Sequence, residues 1–175
     1  MELESFGFSK ERAREMVNIM CSLKTLLKNP KAAVKDNISI TTALLVLLSL
    51  ILIGLIIVGA FTGSIIVYMC SGFYLAIVIL YIPRLINMHK SVKALMNLSK
   101  DRKTVLETEG ILLKVNGISD TKFYWSAFSI VRVFKYNVFF VPKDNTIQGL
   151  SLPIEDLDVV KQYMRDNNVD LEFCE

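Results

Sequence analysis

From Ile38 to Pro83 the chain carries no charged side chain, although Lys35 and Asp36 stand just before this run and Arg84 just after it. A bilayer core of about 30 Å is crossed by about 20 apolar residues in a helix. Residues 38–61 and 64–83 each meet that length. One helix through the whole run would be about 70 Å long at about 1.5 Å rise per residue, so the chain must turn back. Phe61-Thr62-Gly63-Ser64 holds the only polar, flexible spot near the middle. The pattern therefore predicts a transmembrane hairpin over 37–83, with helices at 38–61 and 64–83. A soluble chain of 175 residues has too small a core to hide this much continuous apolar surface. A cleaved signal peptide is not expected, because the run is too long and starts too far from Met1.

Charge gives the hairpin a direction. Lys24, Lys28, Lys31 and Lys35 lead into the first span, and Arg84, Lys90, Lys93, Lys100, Arg102 and Lys103 follow the second. The turn between the spans carries no charge. By the positive-inside rule both termini face the cytoplasm and the turn faces out. Lys24, Lys28, Lys31, Lys35, Arg84, Lys90 and Lys93 are the candidates for contact with the membrane surface. The net charge of +3 is too mild to argue for nucleic acid. No Asp, Glu, Lys, Arg or His lies within the spans, which argues against a proton or ion pathway.

The flanks read as ordinary soluble sequence. In the N-terminal cytoplasmic segment, 1–36, Ser9 is placed to cap a helix. Ala13, Met16, Val17, Met20, Leu23, Leu26 and Leu27 then repeat at helical spacing, with Arg12, Arg14, Lys24 and Lys28 mostly off that stripe. Such an amphipathic helix lies on an anionic leaflet or packs on the protein's own cytoplasmic domain. Asn29-Pro30 ends it. Gly59/Gly63 and Gly72/Ala76 are small-xxx-small pairs, read as packing the two spans together, with a dimer contact as the other use. Pro83 is expected to end the second span, and 84–103 reads as a separate juxtamembrane helix.

Beyond residue 103 the period changes from helix to strand. Residues 104–108, 110–115, 121–125, 130–135, 138–141 and 146–152 are strand candidates, separated by turn signals at Asn116-Gly117, Tyr136-Asn137 and Pro142-Lys143-Asp144-Asn145. Short strands joined by short turns predict an antiparallel sheet. Pro153 then opens a helix whose apolar face, Ile154, Leu157, Val160 and Met164, caps the sheet. The fold class is thus α+β: a transmembrane hairpin with a cytoplasmic antiparallel β domain, 104–175, capped by a C-terminal helix.

Little here points to chemistry. His89 is the only histidine and has no partner for catalysis or metal binding. Cys21, Cys70 and Cys174 share no motif and read as free thiols. Gly-rich phosphate loops, nucleophile motifs and paired carboxylates of known spacing are all missing. The sequence therefore points to no enzyme, catalytic residue, cofactor or metal. Trp125 reads as core packing or as an aromatic anchor for a partner. Lys122, Arg132, Lys135 and Lys143 read as a solvated face or as a headgroup site. Trp125, Arg132 and Lys135 are the candidate partner surface.

Thr108-Glu109-Gly110-Ile111, Tyr124-Trp125-Ser126-Ala127-Phe128, Val138-Phe139-Phe140-Val141 and Leu152-Pro153-Ile154-Glu155 fall in an order that resembles the bacterial YcxB-like family. That family usually has a basic residue after the proline step, where this chain has Glu155. The resemblance implies a pleckstrin-homology-like β domain held at the cytoplasmic membrane of a bacterium, with no particular activity. The expected function is a non-enzymatic integral membrane protein that binds a protein or a membrane surface. The expected partners are the lipid bilayer and a protein, either a toxin or a membrane protein. A homo-oligomer is also compatible with the spans. The alternative reading is an immunity protein against a membrane-acting bacterial toxin.

Overall fold

The computed structural model describes residues 1–3, 8–98, 102–115, 120–144, 146 and 149–174. The chain divides into two units, Met1–Lys35 with Val92–Glu175, and Asp36–Ser91.

The second unit is the uncharged hairpin. Helix α3 spans Asn37–Thr62, and α4 spans Ile65–Leu98. The Asp36 side chain caps α3 by accepting from the Ser39 amide at 3.1 Å. Gly63 ends the helix in the left-handed region (φ 62°), where an L side chain would be strained. Thr42, Ser49 and Ser71 donate their hydroxyls to carbonyls one turn back, so these polar groups are satisfied within their own helices. The helices meet at Gly59, where an added Cβ would lie 3.2 Å from the Tyr68 ring. Gly72 and Ala76, by contrast, are exposed, and Gly72 has open space around it. Of the small residues read as packing the hairpin, Gly59 does so and the Gly72/Ala76 pair does not.

Pro83 does not end the second helix, which runs through it to Leu98. An internal proline costs a helix about 3 kcal/mol through one lost hydrogen bond and a clash. Leu85, Met88, Lys90, Ala94 and Leu95 are good helix formers, and they carry the helix past that local cost. The separate juxtamembrane helix expected over 84–103 is therefore the far end of α4, and Arg102 already begins a strand.

The first unit holds two four-stranded sheets rather than one. Strands β1 (Glu2–Leu3), β2 (Arg102–Glu107), β3 (Gly110–Val115) and β4 (Thr121–Tyr124) form the first, antiparallel throughout. A 3-10 turn at Trp125–Ala127 leads into the second sheet. Its strands are β5 (Phe128–Val133), β6 (Asn137–Pro142), β7 (Leu150–Pro153) and β8 (Phe173–Cys174). The order is β7-β6-β5-β8, and β8 alone pairs in parallel. Asn137 lies in β6 rather than in a turn, and Pro153 closes β7 rather than opening a helix. The helix α5 spans Leu157–Asp166 after a 3-10 turn at Ile154–Asp156. The Asn116-Gly117 turn, Lys100, Asn145 and part of the 146–152 strand candidate lie outside the described residues.

Two apolar clusters explain this arrangement. In one, Leu106 and Ile111 of the first sheet meet Phe128, Val131, Val138 and Phe140 of the second, and Val160 and Met164 of α5 close over them. In the other, Ile130, Phe139 and Val141 on the opposite face of the second sheet pack against Met16, Ile19 and Leu26. These last residues belong to α1 (Lys10–Cys21) and α2 (Leu23–Lys28), which split at Ser22. Every residue of β6 is buried, because helices cover both faces of its sheet. The N-terminal stripe thus packs on the protein's own domain.

Candidate functional site

The helix α1 begins at Ser9, whose hydroxyl accepts from the Arg12 amide at 3.1 Å. That cap sets the helix phase so that Arg12 falls one turn before Met16, on the buried face. Arg12 is buried, with its guanidinium 4.1 Å from the centre of the Phe8 ring. Its Nε donates to Asn137 Oδ1 at 3.1 Å, and Ser151 Oγ donates to the same oxygen at 2.8 Å. Asn137 Nδ2 donates to the Arg12 carbonyl at 3.1 Å and to Glu15 Oε2 at 2.8 Å. Glu15 in turn accepts from the backbone amides of Lys135 and Tyr136 at 3.1 and 2.9 Å. One fully buried asparagine therefore ties α1, the β5–β6 connection and β7 together. The sequence reading puts Arg12 mostly off the apolar stripe and Asn137 in a turn. The available signal was that Arg12 and Met16 are four residues apart on one helix face.

The candidate partner surface comes apart in the structure. Trp125 is 7 % exposed. Its ring packs on Phe140 at 6.0 Å, and its Nε1 donates to the Glu107 carbonyl at 3.1 Å. It is a core residue, with both its ring and its polar atom in use. Arg132 is buried too, and Nη1 donates to the Pro30 and Ala32 carbonyls at 2.7 and 3.1 Å. Those bonds hold the segment between α2 and α3 against β5, so this side chain is not offered to a partner. Only Lys135 is exposed, with Nζ 5.0 Å from the Tyr136 ring centre. The Tyr136 side chain raises the Lys135 pKa, with a smaller contribution from Glu15.

The seven lysines and arginines expected at a membrane surface are all exposed. Lys24 and Lys28 lie on α2, Lys31 and Lys35 follow it, and Arg84, Lys90 and Lys93 lie on α4. Lys31 is engaged within the domain, 2.6 Å from Glu172 Oε1. That hydrogen bond raises the Lys31 pKa and lowers that of Glu172. Lys122 sits between Glu107 and Glu109 at 3.0 and 2.9 Å, and both carboxylates raise its pKa, Glu109 the more.

An open cleft of about 410 Å³ lies beside the start of β5. Its lining includes Trp125, Ser126, Phe128, Lys143 and residues 167–171. Among the described residues, no group of His, Cys, Asp and Glu is arranged to hold a metal ion. Cys21, Cys70 and Cys174 are free thiols. No family model, curated protein or solved structure matches this chain.

Proposed function

We propose that this chain is an integral membrane protein of the YcxB-like kind. The hairpin anchors it in a bacterial cytoplasmic membrane, and a pleckstrin-homology-like domain on the cytoplasmic side binds a protein partner without catalysis. One observation carries the membrane reading. The most apolar stretches of α3 and α4 have mean hydropathies of 3.1 and 2.4, yet only 6 % and 11 % of them is buried within the protein. Ile40, Leu50, Ile53, Phe61, Ile66 and Leu80 are each more than half exposed. Burying one such side chain is worth about 1.5–3 kcal/mol. Six exposed to water would forfeit on the order of 10 kcal/mol, as much as a typical domain's whole stability. A lipid environment removes that cost. Two sheets under a C-terminal helix support the pleckstrin-homology-like assignment, and the resemblance in sequence supports the family.

Thiol labelling on intact cells tests the orientation. In a Cys70→Ala background, Ser64→Cys at the turn should react with an impermeant maleimide added outside. Cys21, which is exposed on α1, should react only after lysis. Labelling of Cys21 from outside would overturn the orientation, and release of the protein by alkaline carbonate would overturn the anchor.

A further inference from the structure

The outer edge of β5 is only partly covered. Among the described residues, β6 pairs with β5 along nearly its whole length, from Phe128 to Val133, whereas β8 pairs only at Val131 and Arg132. The covering segment leaves α5 through a reversal at Asn168 (φ 53°). It joins the sheet at Phe173 and Cys174, and the Val131 amide donates to the Glu172 carbonyl at 2.9 Å. Upstream of that bond, residues 167–171 together with Trp125, Ser126 and Phe128 line the open cleft. One half of the edge is therefore covered by the chain itself, and the other half opens onto a cleft.

The covering segment shows what the edge accepts. Val169-Asp170-Leu171-Glu172-Phe173 alternates apolar and acidic residues. Val169, Leu171 and Phe173 pack against the apolar cluster between sheet and helix, and none is fully buried. Three lysines border the track. Lys31 pairs with Glu172, Lys161 lies 5.4 Å from the Phe173 ring centre, and Lys143 lines the cleft. Glu109 also lines the cleft, but Lys122 neutralises it at 2.9 Å. The Lys31–Glu172 pair is exposed and the strand pairing is two residues long, so the segment belongs to the easily opened part of the fold.

We propose that the β5 edge is a strand-addition groove for an extended peptide with alternating apolar and acidic residues, and that residues 169–174 occupy it as an internal stand-in. Main-chain bonds to β5 would supply affinity, and the apolar face would supply specificity. This deepens the protein-binding reading above by giving the chemistry of the partner. Binding in micelles does not depend on topology, so the labelling experiment and this one fail separately.

The probe is a fluorescein-labelled peptide of residues 167–174 with Ser in place of Cys174, added to the full-length protein in detergent micelles. Phe173→Asp should release the stand-in, accelerate hydrogen exchange at the Val131 amide, and tighten probe binding at least tenfold over the parent. Glu172→Ala, which leaves the core intact, should tighten it severalfold and serves if Phe173→Asp does not fold. A probe with Ser at the positions of Leu171 and Phe173 should not bind. Fast exchange at Val131 without tighter binding would overturn the proposal, as would equal binding of the Ser-substituted probe. A release variant that dimerises and excludes the probe would assign the edge to a second copy, and the proposal would fall.

Discussion

Asn137→Ala tests whether the buried polar knot holds α1 on the second sheet. Asn137 is fully buried and makes four side-chain hydrogen bonds, to Arg12 Nε, the Arg12 carbonyl, Glu15 and Ser151. Two of these partners are charged. A bond to a charged group contributes about 1.5–3 kcal/mol and a neutral one about 0.5–1.5 kcal/mol. Losing all four without compensation would cost on the order of 4–9 kcal/mol. The bonds share atoms and are not additive, and water entering the vacated space recovers part of the loss, so the expected cost is about 3–5 kcal/mol. Trp125 is the only tryptophan, and it sits in the core of this unit. Its emission during urea titration in micelles therefore follows the domain without interference from the hairpin. Glu15→Gln keeps one oxygen, which can accept from the Tyr136 amide and Asn137 but not also from the Lys135 amide, and it removes the charge; it should cost less, about 1–2 kcal/mol. A loss below about 1 kcal/mol for Asn137→Ala would refute the reasoning, because the helix would then be held by its apolar face alone.

Three further outcomes follow from the same packing. In Gly110→Ala the new Cβ would lie 2.0 Å from the Phe123 carbonyl oxygen, so β3 and β4 must separate. The cost should be about 3 kcal/mol, and an unchanged urea midpoint would contradict it. The Lys31–Glu172 pair should respond to pH. Glu172 titrates below its ordinary 4.5 and Lys31 above its ordinary 10.5, so the pair contributes across neutral pH. That contribution is lost as pH falls through the folded Glu172 value and as it rises through the folded Lys31 value. Hydrogen exchange at the Val131 amide, relative to other β5 amides, should therefore rise as pH falls through the lowered Glu172 value, and a flat ratio would count against the pair as an anchor. Finally, an isolated 101–175 fragment should aggregate, whereas Met1–Lys35 joined by a flexible linker to Val92–Glu175 should fold and give buried Trp125 emission. A monomeric, cooperatively unfolding 101–175 fragment would contradict the second apolar cluster.

How much of this was legible depended on whether a feature needs distant residues. Helices α3 and α4 declare themselves by hydropathy alone, and Gly110–Val115 runs up to the clear turn signal at Asn116-Gly117. Strands β1 and β8 are two residues each, too short for any period, and exist only because a neighbouring edge pairs with them. Pro83 is a local stop signal overridden by the helix on both sides of it. Arg12 and Asn137 are 125 residues apart, so their partnership could not be read from spacing. The Val138-Phe139-Phe140-Val141 run was informative in a way the strand reading did not use. A continuous apolar run marks a strand buried on both faces, which requires a second covering layer, and α1 with α2 supplies it.

That second layer changes how the hairpin relates to the rest of the chain. One compact unit takes its residues from both sides of it, with β1, α1 and α2 before and the remaining strands and α5 after. The hairpin is thus an insertion within a single fold rather than an anchor placed ahead of a finished domain. The bonds that join the two parts are specific: β1 pairs with β2, Asn137 grips α1, and Arg132 holds the carbonyls of Pro30 and Ala32. Residues 30–35 leave the grip of Arg132 and enter α3 at Asn37 within a few residues. Neither part can bury its apolar face alone, since Met16, Ile19 and Leu26 come from one and Ile130, Phe139 and Val141 from the other. Such a domain cannot close until the chain beyond the hairpin has been made. The proposed groove is closed by a short pairing, because β8 meets β5 over two residues. An edge filled by two residues and an exposed ion pair is one that another chain can reach.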